Sequence, residues 1–526
     1  MNANVLIIIG ILIYGTILVY HGFRSFKATS KSSEAFFTAD RGINPFVLLA
    51  TTAISVFSAL AFYGVPAAIY REGIGYLSNT GGMIAGLLFV VIGYRLWILG
   101  KEYGFVTPVD FLRSRYNSNG YGLLVAAILV LFIVPYVAMQ LIAIGDAAVV
   151  TTNGMLPYIL AVGFATIVVS LHIIGGGLKS VAWMDAFHFM LGTGTLIVLV
   201  VYLTITYFPN GGLAQAVSTI LNDPKLTPIL SHPGPNGTFN WQGTLSNVLT
   251  GAVATVVWPH IFMRMYVAAN KDTFRTMSWS LPVAYVFVYF LIAILGAILA
   301  PAILGPDFAD TDSIISVLST EYAPPIISFI SLLCLFAFGV STADSLLLSA
   351  SAIGSRDIYV HHAYELKGKN IEPKKVVYFG RVLLVILMIL TLVVVALRPA
   401  YIVDYAYALS SPFFAQILPA TIGGLFWKRG TKEGAFAGTV LGLIVTTVFT
   451  FFVAPPFGFS ALAWALLVNT VAYIGVSLVT KAPEELINKY IVRVDSIINA
   501  GSEMNSAVDS SLSALNNKKH SCNEEI

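Results

Sequence analysis

The chain is built from a succession of long apolar segments, each close to the roughly 20 residues that cross the hydrocarbon core of a bilayer as a helix. A soluble chain would carry about 25% charged residues, whereas here 10% are charged and 57% are hydrophobic. The sequence therefore predicts an all-α polytopic membrane protein with about thirteen transmembrane helices. Spans 1 to 13 are predicted at residues 5–23, 46–70, 77–99, 121–150, 156–174, 181–208, 244–268, 277–304, 324–353, 376–397, 402–426, 435–453 and 461–479.

The basic residues give these spans a direction. Of the 29 Lys and Arg residues, 23 fall in loops on one side and 3 on the other, and the rest lie within or at the ends of spans. Cytoplasmic loops carry the excess of basic residues, so we expect a cell-membrane protein with its N-terminus outside and its C-terminus in the cytoplasm. The first segment lacks a basic leader and a small-residue cleavage pattern, so we interpret it as a span rather than a signal peptide.

Spans 2 and 7 share a pattern of small and hydroxyl residues, followed by Gly64 and Pro66 in span 2 and by Pro259 in span 7. An offset of five spans inverts the topology, and inverted repeats with interrupted helices are typical of secondary transporters. Gly and Pro are also common in membrane helices, so this pattern alone leaves the repeat open. The predicted units are 1–45 (first span and loop), 46–208 (first repeat), 209–243 (extracellular loop), 244–426 (second repeat), 427–480 (spans 12 and 13) and 481–526 (tail).

Span 9 has several hydroxyl groups in the middle of an apolar segment, at Ser341, Thr342, Ser345 and Ser349. Three of them, Ser341, Ser345 and Ser349, are predicted to share one face of the helix. Uncharged oxygens of this kind, joined by carbonyls of a broken helix, suit a monovalent cation such as Na⁺. The alternative is that the serines allow close helix packing and bond their own carbonyls. Asp344 could add charge to a cation site or cap a neighbouring helix.

Asp185 lies one turn into span 6, with His188 three residues later on the same face. The pair could relay cations or protons, or Asp185 could simply cap the helix N-terminus. The glycines just before span 6 do not form a phosphate loop, because Leu178 stands where a glycine must precede Lys179.

Several function classes are excluded or weakened. A net charge of +3 provides no basic face for nucleic acid, and no other stretch offers a nucleotide site. We find no metal-ligand spacing, no Ser-His-Asp set, no redox cofactor motif and no filter-like loop. These observations favour a transporter that needs no cofactor, over an enzyme, pump or channel.

Five stretches together resemble the sodium/solute symporter family, the group of sodium-coupled proline, pantothenate, sugar and monocarboxylate carriers. The resemblance covers roughly residues 35–450. Its motifs are Ser55-Val56-Phe57-Ser58 with Gly64-Val65-Pro66, Thr107 to Tyr116, Gly176-Gly177-Leu178 through Trp183-Met184-Asp185, Ser341-Thr342-Ala343-Asp344-Ser345 with Asp357-Ile358-Tyr359, and Gly424 to Arg429 with Gly434-Ala435.

The resemblance implies a LeuT-like core of 5+5 spans and a sodium site between spans 2 and 9. It implies ligands from the hydroxyls of Ser341 and Thr342 and from the carbonyls of Ile54, Phe57 and Phe338. Asp185, with Asp344 and Ser345, would lie on an inner sodium path or at a second cation site. The candidate solute-pocket residues are Ser55, Ser58, Gln140, Trp258 and Ser410. Met184 and His188 depart from the family's usual Thr and Gln, which puts a second sodium beside Asp185 in doubt.

The function predicted is Na⁺-coupled symport of a small organic solute across the lipid bilayer by alternating access. A monocarboxylate, an amino acid or a pantothenate-like acid is favoured, with a sugar as the alternative. Arg264 and His260 could attract a carboxylate, or they could be interfacial anchors. The rivals are proton coupling through Asp185–His188 or Asp344, and a solute sensor without net transport.

Overall fold

The computed structural model describes residues 3–24, 26, 33–79, 81–397 and 409–500. This part of the chain is almost entirely helical, and nine of its helices are long and apolar enough to cross a membrane. They are Asn4–Arg24, Pro45–Glu72, Asn119–Thr151, Tyr158–Tyr207, Lys271–Leu304, Pro325–Lys367, Pro373–Leu397, Lys432–Phe451 and Ala461–Val479. Residues 402–408 of predicted span 11 and the tail from residue 501 lie outside the described residues.

The predicted spans map onto these helices and onto three further segments. The 50-residue helix Tyr158–Tyr207 contains both span 5 and span 6. Span 3 is Gly81–Tyr103, and span 7 runs in short pieces from Trp241 to Arg264. Span 11 is represented by Ser411–Phe426. The predicted all-α architecture is therefore confirmed, and several of the helices are interrupted along their length.

The turn between spans 5 and 6 is a single interruption at Gly177, where φ is 59° and ψ is −167°. A Cβ atom at this position would lie 2.7 Å from the carbonyl oxygen of Phe36. Only glycine combines that left-handed backbone with so close an approach. The two spans can consequently follow each other almost without a loop.

Spans 2 and 7 are both broken. Span 2 breaks at Ser58, whose φ of 50° and ψ of 177° are not helical, six residues before Gly64. Gly64 and Pro66 themselves lie in the helical continuation, which runs through Leu60–Gly64 and Val65–Glu72. Span 7 breaks at Trp258, immediately before the helix Pro259–Arg264. The interruptions therefore fall in the first helix of each predicted repeat.

Span 9 is the helix Pro325–Ala352. It packs against span 2, span 4 and the helix that holds spans 5 and 6. From Cys334 to Ala352 every residue of this helix is buried. Its polar side chains must therefore find partners on neighbouring helices rather than in water.

Segments that the prediction assigns to the outer side contact one another. Arg71 lies 3.4 Å from Asp312, and Lys225 lies 3.1 Å from Asp307. The side-chain amide of Asn236 donates to the backbone carbonyl of Arg71 at 3.2 Å. The long loop after span 6 thus packs over the end of span 2.

Segments assigned to the inner side also meet. Thr107 donates to Asp357 at 2.7 Å, and Arg113 donates to Asp110 at 3.1 Å. Burial raises the pKa of Asp110, but Arg356 and Arg113 outweigh burial and bring this pKa below its ordinary value. The motif stretch that begins at Thr107 and the one that contains Asp357 are therefore hydrogen-bonded to each other at the predicted inner side.

A helix near the C-terminus was not predicted. It begins with Glu484–Ile487 and Asn488–Val492 and remains helical to residue 500. Tyr490 and Ile491 are buried, and Asp495 accepts a hydrogen bond from Arg95 of span 3 at 2.5 Å. The start of the predicted tail is thus part of the folded body.

Candidate cation and solute site

The centre of the candidate site is a buried ion pair between Arg264 of span 7 and Asp185 of span 6. Arg264 Nη2 lies 3.3 Å from Asp185 Oδ2, and each residue is 1% exposed. Thr51 of span 2 donates to the same carboxylate oxygen at 2.5 Å. Ser341 of span 9 donates to the other oxygen. Asp185 therefore joins four spans rather than capping its own helix.

The guanidinium of Arg264 also contacts three hydroxyl oxygens. Its Nη2 atom lies 2.6 Å from Ser55 Oγ, 2.7 Å from Ser345 Oγ and 2.8 Å from Thr51 Oγ1. Ser55 and Ser345 are themselves 3.3 Å apart. Together, Thr51, Ser55, Asp185, Arg264, Ser341 and Ser345 form what we call the arginine cluster.

The structure brings together the two segments that were predicted to hold sodium. Ile54 and Phe57 lie just before the break of span 2, and the carbonyl of Phe57 accepts a hydrogen bond from the N–H of Leu60. Phe338 lies one turn before Ser341 and Thr342 on span 9. Thr342 is fully buried, and its hydroxyl has no hydrogen-bond partner among the described residues.

This donor set suits a monovalent cation, because hydroxyl and carbonyl oxygens are its ordinary protein ligands. Thr342 stands one turn before Ser345, and Ser345 contacts Ser55 of span 2. The unpartnered hydroxyl thus lies near the junction of spans 2 and 9. Ser349, the third serine of the predicted face, instead bonds the carbonyl of Ser345 in its own helix.

Asp344 does not join the arginine cluster, although it is 1% exposed. Its Oδ2 atom lies 2.5 Å from His172 Nδ1 of span 5, and its Oδ1 atom has no hydrogen-bond partner among the described residues. The other nitrogen of His172 is 3.2 Å from Ser180 Oγ, which in turn is 2.9 Å from His21 of span 1. Asp344 therefore pairs with an imidazole and not with a helix N-terminus.

His188 is not hydrogen-bonded to Asp185, so the predicted relay between the two is not formed in this structure. Its Nε2 atom instead forms a hydrogen bond with the hydroxyl of Tyr14 in span 1. Together with the contact between His21 and Ser180, this bond attaches span 1 to span 6 at two levels.

Three of the candidate solute residues converge on the helix breaks. Gln140 accepts a hydrogen bond from the backbone N–H of Ala59 at 3.1 Å, and Ser58 accepts one from Leu60 at 3.1 Å. The ring of Trp258 packs edge-on against Tyr136 with centroids 5.3 Å apart. Because Tyr136 is one turn from Gln140, span 4 contacts both breaks.

The other two candidates differ in position. Ser55 belongs to the arginine cluster. Ser410 is 1% exposed and its hydroxyl lacks a described partner. It precedes the short helix Ser411–Phe414, which packs against span 4, where the rings of Phe413 and Phe132 stack 3.7 Å apart.

The interpretation of Arg264 as an interfacial anchor is wrong, because the side chain is buried and ion-paired. Its charge is engaged by Asp185 and is not free to attract a solute carboxylate. His260, also buried, stacks against Trp258 with ring centroids 5.8 Å apart. An arginine inside an apolar span was itself a signal, because such a residue nearly always has a buried partner.

Broken helices at the starts of the two predicted repeats, around a buried polar centre, are typical of LeuT-fold secondary transporters. A solved structure of a Na⁺-coupled sialic acid symporter matches this fold with a TM-score of 0.75 at 15% identity, over 92% of this chain and 99% of that one. The sequence comparison is more specific: the model of the sodium:solute symporter family matches residues 36–442. The chain belongs to that family.

Two relatives illustrate the family's range. A sodium/pantothenate symporter of Haemophilus influenzae is 26% identical over 90% of this chain and 96% of its own length. A sodium/proline symporter of Staphylococcus aureus is 23% identical over 94% of this chain and 97% of its own length. These relatives are transporters and not enzymes, and the chain is a multi-pass membrane transporter.

Proposed function

We propose that the protein couples the entry of Na⁺ to the uptake of a small organic acid by alternating access. The observation that carries this proposal is the buried hydroxyl of Thr342, without a described partner, beside Ser341 on span 9. Leaving a buried polar group unsatisfied costs about 1–3 kcal/mol. A Na⁺ ion held by Ser341, Thr342 and the carbonyls of Ile54, Phe57 and Phe338 would satisfy it.

The position of this site explains how ion and solute would be coupled. The proposed carbonyl ligands on span 2 end at Phe57, and the break that contacts Gln140 begins at Ser58. An ion that orders the first segment therefore also orders the second. Na⁺ would favour the state in which the solute residues are assembled, which is coupling by differential affinity for two conformations.

A solute with a carboxylate is favoured. The two relatives above are named for pantothenate and proline, which both carry one. The described residues that we assign to the pocket, Trp258, Gln140 and Ser410, are uncharged, so we expect a solute with at most one charged group rather than a polyanion. A sugar is the second choice. The protein is proposed to lie in the cell membrane with its N-terminus outside, its C-terminus in the cytoplasm and spans 2–6 and 7–11 as its repeats.

Proton coupling is the second candidate, and the buried pair His172–Asp344 is the observation that favours it. The two are separated by uptake into proteoliposomes under a Na⁺ gradient at equal pH and under a pH gradient without Na⁺. Labelled proline, pantothenate and a short monocarboxylate serve as probes, after a screen for Na⁺-dependent thermal stabilisation of the purified protein. Uptake driven by the pH gradient alone would contradict Na⁺ coupling.

The sodium site is tested with Thr342→Val, which removes the hydroxyl and keeps the shape. We expect the Na⁺ concentration for half-maximal uptake to rise about tenfold or more, equivalent to about 1.4 kcal/mol of lost binding energy. Thr52→Val is the matched control, because Thr52 is also buried and its hydroxyl also lacks a described partner. Equal sodium dependence in both variants would count against the assignment.

A further inference from the structure

Arg264 is surrounded as a metal cation would be. Four oxygens from three other spans lie within 3.3 Å of its Nη2 atom, belonging to Thr51, Ser55, Asp185 and Ser345. A guanidinium Nη2 atom carries only two hydrogens, so the oxygens outnumber its donors. Hydroxyl and carboxylate oxygens converging on one positive centre are the environment that hard cations take in proteins.

The charges of the arginine cluster are balanced without an added ion. Asp185 contributes one negative charge and Arg264 one positive charge, and both side chains are almost completely buried. A Na⁺ ion bound directly by the Asp185 carboxylate, in addition to the one proposed at Ser341 and Thr342, would place a second uncompensated positive charge in a region of low dielectric, which is strongly unfavourable. The cluster therefore excludes a second ion as long as Arg264 stays in place.

Arg264 is also fixed by its own helix. Its Nη1 atom donates to the carbonyl of His260 at 2.9 Å, within the short segment that follows the break at Trp258. Unlike a bound ion, this cation cannot dissociate into the cytoplasm. It links span 7 to spans 2, 6 and 9.

We propose that Arg264 is a resident counter-cation that occupies the place of a second sodium beside Asp185, so that the transporter binds and carries one Na⁺ per cycle. This inference rests on the proposed function, because it concerns the number of ions and not whether Na⁺ binds. It makes Arg264 the residue that sets the coupling ratio.

The experiment counts ²²Na⁺ bound at saturation by the purified full-length protein, which requires no knowledge of the solute. The wild-type protein is expected to bind one Na⁺, and Arg264→Gln, which frees Asp185, is expected to bind two with a Hill coefficient above one. Arg264→Lys keeps a positive charge and should bind one. A wild-type count of two, or a count of one in Arg264→Gln, would overturn the inference.

The double variant R264Q/D185N covers the case in which the single variant does not fold, because removing both charges keeps the cluster neutral. We expect it to bind one Na⁺ with an affinity within about threefold of that of the wild type. This corresponds to a change in binding free energy of less than about 0.7 kcal/mol. A loss of binding in this variant would mean that Asp185 holds the coupling ion and would overturn the inference. If the second ion lies instead at Asp344, the wild-type count is two and falls to one in Asp344→Asn. If the wild-type protein binds no Na⁺, it is the proposed function that fails.

Discussion

Asp185 and Asp344 are equally buried carboxylates on adjacent helices, but they differ in the number and charge of their hydrogen-bond partners. Asp185 is surrounded by a guanidinium and hydroxyl groups from spans 2, 7 and 9. Asp344 faces one imidazole, and one of its oxygens lacks a described partner. The first carboxylate holds four spans together, whereas the second links only spans 5 and 9. Burial alone therefore does not tell what an acidic residue does in a transporter of this kind.

The largest loss of stability is expected when Arg264 is replaced by Gln. Removing one partner of a buried ion pair typically costs about 3–5 kcal/mol, because Asp185 keeps its burial and loses its compensation. We expect a large loss of thermal stability in detergent, measured by the unfolding midpoint of the purified protein. D185N/R264Q should recover most of that loss, and strictly additive losses would contradict the pairing.

A smaller effect is expected for Thr51→Val. Thr51 donates to Asp185 and accepts from Arg264, and hydrogen bonds to charged groups contribute about 1.5–3 kcal/mol each. The same unfolding measurement checks this value. Thr52→Val again provides the control, since the hydroxyl of Thr52 makes no described hydrogen bond. A stability equal to that of the control would show that Thr51 is not part of the support of Asp185.

Asp344→Asn should cost less, about 1 kcal/mol, because the amide can still bond His172 and a neutral hydrogen bond contributes about that amount. A double-mutant cycle with His172→Gln measures the coupling between the two side chains. If Asp344→Asn destabilised the protein as strongly as Arg264→Gln does, the two carboxylates would be equivalent and the comparison would fail.

The smallest effect is expected for Ser180→Ala, which removes the hydroxyl that contacts both His172 and His21. Hydrogen bonds between membrane helices contribute about 0.6 kcal/mol on average. We therefore expect a barely measurable shift in the unfolding midpoint. A loss comparable to that of Thr51→Val would assign to the Asp344 side a structural role as large as that of the arginine cluster.

The spans and their order could be predicted, because a bilayer demands continuous apolar helices and leaves a strong sequence signal. The break at Ser58 could not be located, since it depends on Gln140, a side chain from another span that accepts the freed N–H of Ala59. Gly64 and Pro66, the residues that looked like the interruption, continue the helix.

The candidate site was predicted in its parts but not in its centre. Ser341, Ser345 and Asp185 were identified from their positions, and the structure brings them together. Arg264 was missed as their shared partner because its partners come from three other segments that no local pattern connects. The helix at residues 484–500 was missed because its buried residues, among them Tyr490 and Ile491, are interspersed with charged ones.

The attachment of span 1 has a practical consequence. Tyr14 contacts His188, and His21 contacts Ser180. Because the contacts move forward along span 1 and backward along span 6, the two helices run antiparallel in a fixed register. A spectroscopic label on the solvent end of span 1 should consequently follow the displacement of span 6, the helix that carries Asp185. The N-terminal helix is thereby a suitable position for a probe that reports on conformational changes in the interior of the carrier during transport.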